Sequence, residues 1–327
     1  MKVVIPMAGH GTRLRPHTYS RPKPLINVAG QPMLKYLLDS LQELNIDQYI
    51  FIVGYLGDQL KEYITSEYDF DSVFLRQEDL TGQSPAIYLA RDYIQGPTII
   101  LFADTLFETD LGIITSDVDG VIFTKEVPDP KRFGVVKTNA EGHIVSFIEK
   151  PDTMENRNAV IGLYYVRKGE DLLRAIEQQV ATETLTKGEF YIADAFQIMI
   201  NQGAKFRTQD VSTWLDTGKP ETVLETNQYL LEHGRDNSDQ VNFPGVSIIA
   251  PVNIHPDAKV RNSIIGPYTT IAAHCEVSDS IIRDSIVDVG AQVLNSILDK
   301  SLIGQNASVA GRYRTLNVGD QSSIDFS

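Results

Sequence analysis

Cysteine is nearly absent from this chain. Cys275 is the only one in 327 residues, so no disulfide can form within it, and its thiol reads as a small buried hydrophobe. Basic residues are in deficit: 29 lysines and arginines face 43 aspartates and glutamates, a formal charge of −14. No basic surface can dominate such a chain, which argues against a nucleic-acid partner, although a few cations grouped at a phosphate site remain compatible with it. No apolar run approaches the length of a membrane span, and no secretory pattern precedes the first apolar stretch. A soluble, acidic, cytoplasmic protein is expected, and the length favours two domains with ample core.

Two familiar phosphate-binding signatures are also missing. Gly9-His10-Gly11-Thr12-Arg13-Leu14 carries the first two glycines of a dinucleotide fingerprint, but Leu14 stands where the third should be. No Gly-Lys-Ser/Thr follows to make a P-loop. What is present is an apolar strand, Lys2-Val3-Val4-Ile5-Pro6-Met7, running into Ala8, Gly9, Gly11, Thr12 and Arg13, with Arg21-Pro22-Lys23-Pro24-Leu25 shortly after. Closely spaced glycines at a strand end let backbone N–H groups approach a phosphate chain. Arg13 and Lys23 add fixed positive charge there. The pattern points to a nucleotide-handling enzyme.

The remaining organisation falls into two parts. Leu34, Leu37, Leu38, Leu41 and Leu44 recur at helical spacing, and Tyr49–Val53, Thr98–Phe102 and Val121–Phe123 read as buried strands. Strands alternating with helices predict an α/β fold with a Rossmann-like, doubly wound, mostly parallel sheet, whose ligands bind beyond the carboxyl ends of the strands. The character changes near residue 235. A polar linker over 236–246 separates a domain over 1–235 from one over 247–327. In the latter, apolar residues recur with a six-residue period: Ile248, Ile254, Val260, then Ile265, Ile271, Val277, then Val287 and Val293, Ile303 and Val309, Val318 and Ile324. That period predicts a parallel β-helix of stacked coils.

Two aspartates draw attention. Asp104 follows the strand that ends at Phe102, and Asp216 lies in the turn Trp214-Leu215-Asp216-Thr217-Gly218. Taken singly, a lone aspartate at such a position is more commonly a helix cap or a solvated turn. Together they suit Mg²⁺, which takes few protein carboxylates alongside phosphate oxygens and water.

The signature G-x-G-T-R-L-x-P followed by Pro-Lys-Pro-Leu resembles the sugar-phosphate nucleotidylyltransferases, and within them the long-type glucose-1-phosphate thymidylyltransferases. The resemblance implies a nucleotidyltransferase domain of the GT-A-like kind followed by a short left-handed β-helix. It implies Asp104 and Asp216 as Mg²⁺ ligands, and a loop of Ala8, Gly9, Gly11 and Thr12 holding the nucleotide. Arg13 would hold the departing pyrophosphate, Lys23 would sit near the α-phosphate, and Gln77 with Gly82 would read a pyrimidine. Gly134, Glu149, Lys150, Val160, Tyr164 and Lys187 correspond to the sugar-phosphate site. The segment Thr315–Ser323 resembles the end of some long-type enzymes. Departures occur at His10, at Ala103-Asp104-Thr105 in place of Gly-Asp-Asn, at Gln83-Ser84-Pro85, and at Lys187, where an arginine is common and the bidentate contact is lost.

The implied reaction joins a sugar-1-phosphate to the α-phosphate of dTTP or UTP, with pyrophosphate leaving. Two other readings stand beside it. The β-helix could add acyltransferase activity through His255 or His274, or the chain could be a catalytically silent sensor of nucleotide sugars. The exposed edges of a β-helix also suggest a homo-oligomer, a dimer or a tetramer.

Overall fold

The computed structural model describes residues 1–113 and 118–311. These form two compact units, one of Met1–Ile26 and Gln31–Val223, the other of Asn27–Gly30 and the chain from Leu224 onward.

The first unit is built on a nine-stranded sheet. Its strands are β1 (Lys2–Met7), β2 (Gln48–Val53), β3 (Ser72–Arg76), β4 (Thr98–Leu101), β5 (Gly120–Glu126), β6 (Gly134–Thr138), β7 (Ile144–Glu149), β8 (Asn158–Val166) and β9 (Phe206–Asp210). β1 lies between β2 and β4, parallel to both, and β3 extends the sheet parallel to β2. Val3, Val4, Ile5, Ile50, Phe51, Ile52, Ile99, Ile100 and Leu101 are all fully buried, the near-continuous apolar runs of strands covered on both faces.

Beyond β4 the sheet changes direction. β8 runs antiparallel to β4 and to β5, and β6 and β7 form an antiparallel pair beside it. The sheet is therefore mixed. Its parallel, doubly wound part follows the strand–helix alternation of the first hundred residues, and it turns antiparallel where β5 to β8 succeed one another without intervening helices. Helices α1 (Met33–Asp39), α2 (Gly57–Glu67), α3 (Gln83–Tyr88), α4 (Gly169–Ala181) and α5 (Ile192–Asn201) complete this unit. On α4, Leu172, Ala175 and Ile176 recur at helical spacing and enter the same core as Phe196 of α5 and Ile100 of the sheet.

The second unit carries three parallel ladders, the stacked coils of the parallel β-helix that the six-residue period predicts and whose left hand the resemblance implies. Ile254 pairs with Ile271 and Ile271 with Val287, while Val260 stacks on Val277, Val293 and Val309. Corner residues Asn262, Asp279 and Asn295 take left-handed backbone, which short polar side chains tolerate better than others. Cys275 is fully buried, and burial pushes its thiol up to about 11. Residues 236–246 pack onto the β-helix instead of spanning free space: Asp236 Oδ1 accepts from Val252 N, and Asn237 Oδ1 from Ile254 N, both at 2.9 Å. They cap the open edge of the first coil. Val318, Ile324 and the segment Thr315–Ser323 lie outside the described residues.

Asn227, on helix α6 (Pro220–Leu230), is fully buried at the heart of this unit. Its Oδ1 accepts from Ala29 N at 2.8 Å and from the Thr270 hydroxyl at 2.7 Å, and its Nδ2 donates to Tyr268 O at 3.2 Å. Thr270 is itself fully buried, so its hydroxyl has no exposure to bulk water when the partner is lost. Asn227→Ala should destabilise this unit by about 2–4 kcal/mol, the cost of orphaning buried polar groups. A lower denaturation midpoint for the transition that unfolds the β-helix would register it.

Candidate functional site

The loop after β1 owes its shape to two anchors. Gly11 has φ of +60°, and a Cβ there would lie 3.0 Å from Thr18 Cγ2 and 3.1 Å from Lys23 Cβ. The Thr18 hydroxyl donates to Gly11 O at 2.9 Å. Leu14, standing where a dinucleotide fingerprint has its third glycine, is fully buried and pins the loop to the core. Gly9 faces open space.

This loop borders a cavity of about 430 Å³ lined by Ala8, Gly9, Gly11, Thr12, Arg13, Lys23, Gln77, Gly82 and Asp104. Every nucleotide-site residue expected from the sequence is thus brought to one hollow. A second cavity of about 280 Å³ is lined by Gly134, Glu149, Lys150, Val160, Tyr164 and Asp216. Arg13, Gln83, Phe102 and Asp104 line both. Lys187 lines neither, but its Nζ donates to Lys150 O at 3.3 Å, which sets it beside the second.

In the lining of the first cavity, Gln77 is held by its backbone N–H on Val53 O at 2.9 Å, and its Nε2 donates to Asp79 O at 3.0 Å. Gly82 has φ of +136°, and a Cβ would come within 2.6 Å of Phe190 O. Only glycine fits that backbone.

The two aspartates meet through a short antiparallel pair, Thr105–Glu108 with Thr213–Asp216, in which Asp216 stands opposite Thr105. Asp104 immediately precedes that register. Its carbonyl accepts from Thr217 N at 3.2 Å and from the Thr217 hydroxyl at 3.1 Å, and Trp214 Nε1 donates to Thr105 Oγ1 at 2.6 Å. The threonine that departs from the resembled motif is therefore occupied by the indole. Each carboxylate also has a cation close by: Lys23 Nζ lies 3.2 Å from Asp104 Oδ2, and Arg132 Nη2 lies 3.7 Å from Asp216 Oδ2. Among the described residues no group of three or more His, Cys, Asp or Glu side chains converges to hold a metal. Two carboxylates with room for phosphate and water are a donor set that Mg²⁺ accepts.

In the second cavity, Gly134 stands opposite Glu149 across the β6–β7 pair, and a Cβ on it would lie 2.8 Å from Glu149 Oε2. Burial raises the Glu149 carboxyl above the usual range, with Lys150 opposing. Lys150 has a left-handed backbone, φ +49°, and its Nζ donates to Tyr191 Oη at 2.7 Å while lying 3.7 Å from Glu149 Oε1. That phenol contact raises the lysine further above its ordinary value. Tyr164 is buried and its phenol is raised by desolvation.

Sequence reading missed Arg132, Tyr191 and the role of Trp214. Arg132 and Trp214 adjoin or lie within motifs already singled out. Tyr191, an aromatic at the start of α5, carried no signal of its own.

A model of the nucleotidyl transferase family matches residues 2–233, and one described as GlmU-like, C-terminal hexapeptide, matches 234–315. A glucose-1-phosphate thymidylyltransferase of Streptomyces griseus is 28% identical over 100% of both chains. The low-salt glycan biosynthesis nucleotidyltransferase Agl11 of Haloferax volcanii is 28% identical over 99% of each. The crystal structure of a UDP-glucose pyrophosphorylase complexed with UDP-glucose superposes with a TM-score of 0.62 at 20% identity, covering 71% of this chain and 98% of that one, a likeness of fold. Among the described residues no helix is long and apolar enough to cross a membrane.

Proposed function

The chain belongs to the nucleotidyl transferase family, and from that premise we propose that it couples a sugar-1-phosphate, glucose-1-phosphate foremost, to the α-phosphate of dTTP or UTP. The observation that carries this reading is the junction of the two cavities at Arg13 and Asp104, with the glycine loop on one side and Glu149 and Lys150 on the other. The full-length similarity to a thymidylyltransferase supports it.

In this reaction an oxygen of the sugar phosphate bonds to the α-phosphorus as the α–β bridging bond breaks and pyrophosphate departs. The attacking phosphate is already anionic, so no protein nucleophile or strong base is required, and alignment with charge neutralisation does the work. The Gly9–Thr12 amides and Arg13 hold the departing pyrophosphate, and Lys23 lies beside the α-phosphate. Asp104 and Asp216 would hold Mg²⁺, whose chemistry there is to neutralise charge on phosphate oxygens. Lys150 and Lys187 hold the sugar phosphate, and Glu149 accepts from sugar hydroxyls. Gln77, with its Nε2 committed to Asp79 O, has Oε1 to accept a pyrimidine N–H. Transfer is a single step with no covalent enzyme intermediate. Acyl transfer by the β-helix is the second reading, favoured by the GlmU-like match over 234–315. Of its two histidines, His255 already accepts at Nδ1 from Asp257 N at 3.2 Å, which leaves His274 as the candidate base.

The test is pyrophosphate release with Mg²⁺, glucose-1-phosphate and dTTP or UTP in parallel. Turnover with a pyrimidine nucleotide is expected, and the faster one names the base. Nucleotide binding without turnover across a panel of sugar-1-phosphates would replace this reading with the silent sensor.

A further inference from the structure

Arg13, Lys150 and Arg132 line the second cavity, and the reaction above gives a task to the first two only. Arg132 is held to the short sheet that presents Asp216. Its guanidinium carbon lies 5.5 Å from the centroid of Phe133, whose ring meets Trp214 edge-on at 4.8 Å. Trp214 is in turn fixed to Thr105 and stands two residues before Asp216. From this perch Nη2 reaches Asp216 Oδ2 at 3.7 Å, while Gly218 N satisfies Oδ1 at 2.9 Å. Lys23 stands in the same relation to Asp104. Asp216, on the ladder, and Asp104, just before it, thus each have a cation of the same chain close by.

We infer that Arg132 is a placeholder cation: it occupies Asp216 until a divalent metal binds, then yields the carboxylate. This rests on reading Asp104 and Asp216 as metal ligands. The arginine side chain is 49% exposed, so its ion pair is weak and its release is cheap. A guanidinium on a cation–π perch has somewhere to go when displaced. The freed charge then faces the cavity that receives the sugar phosphate.

The sign of the effect separates this role from a structural one. A placeholder competes with the metal, so its removal tightens metal binding. A residue that merely shapes Asp216 would loosen metal binding when lost. The measurement is direct titration of free enzyme with Mn²⁺, followed by electron paramagnetic resonance of the unbound ion, without nucleotide or sugar. Arg132→Ala should bind Mn²⁺ about three- to fivefold more tightly than the parent, the scale of an exposed ion pair. Arg132→Lys, which keeps the charge but loses the planar stack, should fall between. An unchanged or weakened affinity in Arg132→Ala would overturn the inference while leaving the metal site intact. If the parent binds no Mn²⁺ that Asp216→Asn abolishes, the metal reading falls and the inference falls with it.

Discussion

Asp104→Asn should lower kcat for pyrophosphate release about 10³-fold, the scale seen when a charge-stabilising group is removed from a phosphoryl or acyl transfer site. The substitution keeps the side chain's shape and removes only its charge. The contacts that fix this position go to the Asp104 carbonyl, from Thr217 N and the Thr217 hydroxyl, and asparagine retains them. The ladder that presents Asp216 therefore survives. Two electrostatic consequences remain. A neutral amide is a poor partner for a divalent cation, and Lys23, 3.2 Å away, loses its counter-ion. Single-turnover kinetics at saturating divalent cation, beside a thermal midpoint close to that of the parent, would check this. A loss smaller than about tenfold would mean that Asp104 is not a principal holder of charge in the transition state.

The parts of this molecule that were legible in its sequence are those whose chemistry is written in consecutive residues. Gly9, Gly11 and Arg13 sit within one loop, so the motif behind the expected phosphate site is read in consecutive residues, and the structure brings all three to one cavity. The β-helix was equally open to reading, because successive coils bring Ile254, Ile271 and Val287 to one column and so repeat an apolar residue at a nearly constant spacing. What escaped was contact between distant residues. Nothing local to Arg132 announces Asp216, and nothing local to Tyr191 announces the Lys150 ammonium. The antiparallel half of the sheet was hidden for a related reason. The Gly120–Glu126 strand is an apolar run of the same kind as the parallel strands before it, and its direction is set by its partner, Asn158–Val166, not by its own residues. Residues 236–246 read as a linker because they are polar, yet Asp236 and Asn237 use that polarity to cap a coil.

Gly218→Ala should separate alignment from stability. A Cβ at this position would lie 2.9 Å from Arg13 Nη2 and 2.9 Å from Asp216 Oδ1. The backbone there is outside the left-handed region, so alanine brings no conformational strain. Both crowded atoms are the ends of flexible side chains, which can move aside at little cost to the fold. Those two ends are nevertheless the groups assigned to the departing pyrophosphate and to the metal. Displacing them together should lower kcat/KM about 10²-fold, the loss that a misplacement of about 1 Å produces at a reacting centre. The denaturation midpoint should stay near the parent value, because no core contact is lost and the one bond put at risk is the local one from Gly218 N to Asp216 Oδ1. Kinetics and denaturation on the same preparation make the comparison. Near-parental kcat/KM would show that the reaction tolerates movement of both groups, and would shift the weight of alignment to Lys23 and the loop amides. A large fall in stability would instead show that the Arg13 and Asp216 side chains are packed too firmly to yield. Parallel loss of activity without loss of stability is the signature of a glycine selected for the room it leaves to charge.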